Sequence, residues 1–245
     1  MGQFATGVRA HATAFARKPM NLVLLLVLPP VVTVVYGEAM KSFSTLLSPL
    51  GIGADLGTVG QLTGALFATA FLTGVIGLFQ VISARRGDER LMLCGFSKTT
   101  LLATRLVTVT SAAILAAGAS FVVLWMLVSV VAPLATFGAL LAGGITYGLL
   151  GMCVGALIPR ELEGSLILVF IVDVDVALSG GLFATTTAVP SFFPLYHPHA
   201  LLSSAVLDGT IATDHVFGAI GYILVLAMLA FVVYGRVTSV RGVSA

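Results

Sequence analysis

The chain has 245 residues, of which 58% are hydrophobic and only 9% charged, with a net charge of +2. A soluble domain carries roughly 25% charged residues, so these few cannot cover a water-facing surface and an integral membrane protein is expected. The mild charge makes no case for nucleic-acid binding, and Cys94 and Cys153, without CxxC spacing, form neither a disulfide framework nor a zinc ligand set.

Residues 3–18 place Phe4, Val8, Ala12 and Phe15 at helical spacing beside Arg9, Arg17 and Lys18. That pattern fits an amphipathic helix over residues 1–19 lying in the membrane interface. A plain basic tail is the alternative. A helix needs about 20 apolar residues to cross the hydrocarbon core. Six runs approach this: 20–36, interrupted by Pro29-Pro30, then 62–82, 102–131, 134–158, 165–183 and 216–234. "VVTVVYGEAMKS" after the first run offers no A-x-A cleavage site, so the first span is expected to be retained. The expected fold is all-α, one transmembrane domain over 1–245 with six spans and both termini cytoplasmic. That orientation places 11 of the 12 basic residues inside, leaving only Lys41 outside.

Two non-spanning segments stand out. The loop after span two, "SARRGDERLMLCGFSKTTLLATRL", mixes charge with Leu91, Leu93, Phe96, Leu101 and Leu102. A topology-setting loop explains the arginines but not the leucines, so a short helix docking on a soluble partner is expected. The outer segment "VPSFFPLYHPHALLSSAVLDG" is aromatic and broken by three prolines. It reads as a re-entrant or interfacial cap between spans five and six.

These features together resemble the ABC-2 type permeases, the membrane subunits of ABC exporters. "ARKPMNLVLLLVLPP" resembles the family's entry into span one, the charged loop its coupling loop, and the broken outer segment its cap between spans five and six. One departure is Phe96 before the loop Ser97, where many members have proline. The resemblance implies a non-catalytic subunit of a multidrug-type efflux exporter. Its partners would be a second permease, the same or homologous, and two copies of a separate ATPase that binds ATP and Mg. It implies a multi-pass protein of a prokaryotic cytoplasmic membrane, and a coupling helix using Arg85, Arg86, Asp88, Glu89, Arg90, Leu93, Phe96 and Lys98. It also implies that spans two and five line the pathway.

"CGFSKTT" is not a phosphate loop, because no Gly precedes Lys98 and no strand leads into it. No cofactor is therefore expected in this chain. "ALSGG" at Ala177–Gly181 resembles the intramembrane serine of rhomboid proteases, a remote alternative in which His215 is the candidate base for Ser179. His197-Pro198-His199, with Asp208, Asp214 and His215 nearby in sequence, could bind a metal, but no third ligand has a fixed spacing and histidines without metal are expected. Gly60/Gly64, Gly144/Gly148 and Gly151/Gly155 have the small-xxx-small spacing of close helix contacts.

"FIVDVDVALSGG" places Asp173 and Asp175 inside span five, close to its expected middle. An ionised Asp there costs about 2.5–3.5 kcal/mol. Residues i and i+2 lie about 200° apart on a helix, so the two cannot share a face. One reading is a cation or proton site, with Asp173 slightly preferred. The other is hydrogen-bonding glue to Ser179, Thr69 or Thr73. The expected pathway lining is Asp173, Asp175, Phe67, Phe71 and Phe79, suiting a lipophilic, cationic small molecule. A proton- or cation-coupled secondary transporter using the same acids is the alternative function.

Overall fold

A computed structural model describes residue 13 and residues 19–47, 56–158, 160–180 and 189–239. The expected interfacial helix with Phe4, Val8, Ala12 and Phe15 lies outside the described residues, as does Phe183. The described chain is helical: α1 Pro19–Leu47, α2 Leu56–Ile82, α3 Arg85–Leu93, α4 Lys98–Leu127, α5 Pro133–Leu157, α6 Glu161–Ser179, α7 Tyr196–Ser203 and α8 Thr213–Ser239. A 3₁₀ turn at Val189–Phe192 leads towards α7, and a π turn at Ser204–Asp208 leaves it. Long apolar segments adopt helix because hydrocarbon offers the backbone no hydrogen-bond partner.

Among the described residues, five stretches are long and apolar enough to cross a membrane: Val23–Phe43, Leu56–Ile82, Lys98–Leu127, Pro133–Leu157 and Thr213–Gly235. The chain is a multi-pass membrane protein. The expected fifth span, α6, differs from these. Its 19 residues reach about 28 Å, close to the hydrocarbon thickness. However, it carries Glu161, Glu163, Asp173 and Asp175.

Several boundaries differ from expectation. Pro29 and Pro30 do not end α1, which continues to Leu47. The Thr33 hydroxyl donates to the Pro29 carbonyl at 2.7 Å, adding a bond within the turn that the prolines weaken. Glu38 and Lys41, on the extension, pair at 3.7 Å in an exposed position. Helix α4 starts at Lys98 rather than near Leu102, because Ser97 Oγ caps it, accepting from the Thr100 amide at 3.1 Å. It ends at Leu127 rather than Val131, and Pro133 opens α5. Helix α6 starts at Glu161 rather than Ser165, with two carboxylates in the first turn where the helix dipole favours them. Asp173 and Asp175 therefore lie about 18 and 21 Å along α6. They sit in its last third rather than at its middle.

Helix α2 is the hub, packing on α1, α4, α5, α6 and α7. Its crossing with α5 is the tightest. A methyl at Gly77 would run into the carbonyl of Gly148, and one at Gly151 into the carbonyl of Gly74. The six glycines singled out by their spacing all lie at helix contacts of this kind, against α1, α2 or α4. Around the crossing lie Leu62, Leu66, Leu140, Tyr147, Leu168, Leu195 and Leu202, all buried. Helices α1 and α8 sit on the outside and expose Val23, Leu26, Val31, Phe217, Leu224 and Met228. Apolar residues on that side face lipid rather than water.

Candidate functional site

The open feature of the bundle is a seam over α2. Helices α1 and α6 both pack on α2, and neither makes an extensive contact with the other. Phe67 and Phe71, four residues apart on α2, share a helix face, whereas Phe79 lies about 120° round from Phe67. All three are half-buried, whereas most of α2 is enclosed. Phe67 and Phe71 stack with ring centroids 5.8 Å apart, and Tyr36 of α1 extends the stack at 5.6 Å from Phe67. Asp173 is exposed and lies within electrostatic reach of Tyr36. On α6 it continues an exposed face made by Leu162, Leu166, Ile167 and Phe170. Three of the expected lining residues (Phe67, Phe71, Asp173) thus come to one seam, while Phe79 lies about two turns further along α2 and is turned about 80° from Phe71. Tyr36 was not anticipated, because nothing in an apolar run marks which tyrosine will join an aromatic stack.

Asp175 is placed differently. It is fully buried and points away from the seam. Its carboxylate accepts from Tyr147 Oη at 2.6 Å and from Ser179 Oγ at 2.8 Å. The Leu195 amide, at the N-cap of α7, donates to both its oxygens at 3.0 and 3.3 Å. One carboxylate therefore binds α5, α6 and the start of α7, where the helix dipole also favours negative charge. Four donor contacts satisfy the charge without solvent. Ser179 is the partner expected for hydrogen-bonding glue. Thr69 and Thr73 turn elsewhere: Thr69 to Ala65 and Ser120, and Thr73 to the carbonyls of Thr69 and Ala70. Tyr147 was missed, although a tyrosine inside an apolar span signals a hydroxyl in need of a partner.

The charged loop after α2 folds as helix α3. Arg90 and Leu93 are exposed, Leu93 at 89%, and Phe96 is half-buried below Gly95, whose φ is +88°. Arg85 is half-buried and Lys98 exposed at the start of α4. Arg86 and Glu89 belong to α3, but their side chains lie outside the described residues. Asp88, expected on the docking face, is buried instead. Its Oδ2 accepts from Arg105 Nη2 of α4 and from Tyr234 Oη of α8, each at 2.5 Å. Arg105, expected among the basic residues on the cytoplasmic side, is fully buried, with Nε and Nη1 unpartnered. The reason is the length of α4, which carries Arg105 into the bundle where Asp88 compensates its charge.

The broken segment, described from Val189, folds as the 3₁₀ turn, α7 and the π turn, packed on α2, α5, α6 and α8. His199 turns inward, with Nε2 3.1 Å from the Thr63 hydroxyl, and burial pushes its pKa down to about 4, so the ring is neutral. His197 meets His215 instead, Nδ1 to Nδ1 at 3.0 Å. Ser179 gives its hydrogen to Asp175, so its expected base His215 is engaged elsewhere.

In comparison with known proteins, the chain matches no family model and no curated protein sequence.

Proposed function

We propose that the chain is the permease subunit of an ATP-driven exporter of the ABC-2 type. In this reading α1, α2, α4, α5, α6 and α8 are six spans with the α3 end in the cytoplasm. The complex is a dimer of permeases, the same or homologous, with two copies of a separate ATPase. That partner holds ATP and Mg, and its cycle pushes on α3. The membrane is the cytoplasmic membrane of a prokaryote.

The observation that carries the reading is the seam. An aromatic stripe of Tyr36, Phe67 and Phe71 lies open between α1 and α6, with one exposed carboxylate, Asp173, beside it. Closing two such seams on each other in a dimer would make a cavity with apolar walls and two acids. That chemistry suits a lipophilic cation, held by aromatic faces and counter-charge. Asp175 takes the structural role, because its oxygens are already occupied.

Two measurements test this. An ATP-binding subunit is expected to copurify from the native membrane. Its absence, with transport that persists without ATP, would favour the secondary transporter. In vesicles, Asp173→Asn is expected to lower transport of a lipophilic cation roughly tenfold and to spare a neutral analogue. Equal loss of both would sink the cation assignment.

A further inference from the structure

We propose that His197 and His215 form a two-imidazole site for a divalent transition-metal ion at the capped end of the bundle. The two rings come from different elements, α7 and α8, and their Nδ1 atoms converge to 3.0 Å. Both rings are half-buried, so they are held in place and still reachable from outside. Their seat is built. Tyr196 packs edge-on against both rings, with centroids 5.3 Å from His197 and 5.6 Å from His215. Tyr222 flanks His197 at 5.8 Å and is itself tied to the Ser191 carbonyl through its hydroxyl. Beneath His197 lies Gly218, where any Cβ would overlap the imidazole.

The distance fits a chelate. Two ligands at about 2.0–2.1 Å from one metal are about 2.9 Å apart at a 90° angle and about 3.3 Å apart at the tetrahedral angle. The observed 3.0 Å lies nearer the first, the cis geometry of Ni²⁺ and Cu²⁺. Zn²⁺ requires a slightly wider opening.

The proton accounting is simple. Without metal, one ring donates from Nδ1 and the other accepts, so one hydrogen lies between them. If the donor ring moves that hydrogen to Nε2, both Nδ1 lone pairs become free, with no net proton release from the neutral pair. Each ring must then swing so that its lone pair leaves the N–N line, which the broad χ2 wells of histidine permit. Among the described residues no group of three or more His, Cys, Asp or Glu is gathered, so the remaining metal positions fall to water. The occupied site would fasten α7 to α8.

The test uses the full-length protein without an affinity tag, in detergent, titrated with Ni²⁺. One-site binding and an upward shift in Tm are expected for the wild type. Both are expected to be lost in His197→Gln and in His215→Gln and kept in His11→Ala. A second measurement covers the case in which a variant unfolds. Cu²⁺ bound to the wild type is expected to give an electron paramagnetic resonance spectrum with two imidazole nitrogens. Failure of the wild type to bind, binding unchanged in both variants, or a copper spectrum without two nitrogen donors would each overturn the proposal. Because the readout is metal binding, it stands or falls separately from the transport reading.

Discussion

Tyr147 Oη donates to Asp175 Oδ2 at 2.6 Å, joining α5 to α6 inside the bundle. This contact separates the roles of two acids that are only two positions apart in the chain. Asp175→Ala leaves the Tyr147 hydroxyl, the Ser179 hydroxyl and the Leu195 amide without their acceptor. Each unsatisfied buried group costs about 1–3 kcal/mol. Asp175→Ala is therefore expected to lower thermal stability strongly, and Tyr147→Phe by about 1 kcal/mol. Asp173→Asn, on the exposed face, is expected to stay within about 0.5 kcal/mol of wild type. Thermal unfolding in detergent compares the three. A Tm loss for Asp173→Asn as large as that for Asp175→Ala would break the division.

Asp88 offers a second comparison, at the other end of the bundle. It compensates a fully buried Arg105, two of whose nitrogens have no other acceptor. Asp88→Ala strands that charge, at an expected cost of about 3–5 kcal/mol. Replacing the pair together, as Asp88→Ala with Arg105→Met, removes the charge as well as its partner. The double variant is expected to be more stable than Asp88→Ala alone. Tyr234→Phe deletes one donor and is expected to cost about 1 kcal/mol. A double-mutant cycle measures the coupling. Additive effects of the Asp88 and Arg105 changes would mean that the buried pair does not hold α3 to α4.

The helices were legible in the sequence because hydropathy is a property of single segments. The helix–helix glycines were legible for the same reason, since their spacing of four survives without knowledge of the partner. Side-chain roles were less so. Helical geometry alone separates Asp173 from Asp175 by about 200°. Which one faces inward depends on Tyr147, 28 residues away in the chain. The burial of Arg105 was not legible, because its compensation by Asp88 is a tertiary fact. Ser97, by contrast, carried a visible cap signal that would have moved the start of α4 to Lys98. In His197-Pro198-His199, proximity in sequence does not show which rings meet. Helix α7 sends His199 to Thr63, and its first turn brings His197 to His215.

The α2–α5 crossing predicts a contrast among glycines of the same chain. At Gly77 and Gly151 the missing Cβ is replaced by backbone of the facing helix. Backbone cannot move aside as a side chain can, so an alanine there must push the helices apart across the core. Gly77→Ala and Gly151→Ala are each expected to destabilise by about 2 kcal/mol or more. Gly118 and Gly221 lie within α4 and α8 with open space where a Cβ would go. Their alanine variants are expected to be neutral or to stabilise by up to about 1 kcal/mol. Thermal unfolding of the four variants under one condition tests this, and equal losses at all four would contradict the close crossing.

Leu93 tests the proposed partner. A leucine that is 89% exposed at the end of a charged helix contributes little to packing among the described residues. If α3 docks on an ATPase, Leu93 would be buried against it, and a charge placed there would be desolvated without a partner, at a cost of about 2 kcal/mol or more, roughly thirtyfold in affinity. Leu93→Asp is therefore expected to abolish copurification of the ATPase while leaving Tm of the isolated subunit unchanged. Asp88→Ala makes the opposite comparison, because it strikes the buried side of the same helix and lowers Tm directly. An ATPase that still copurifies in full with Leu93→Asp would mean that the exposed face of α3 is not the docking surface.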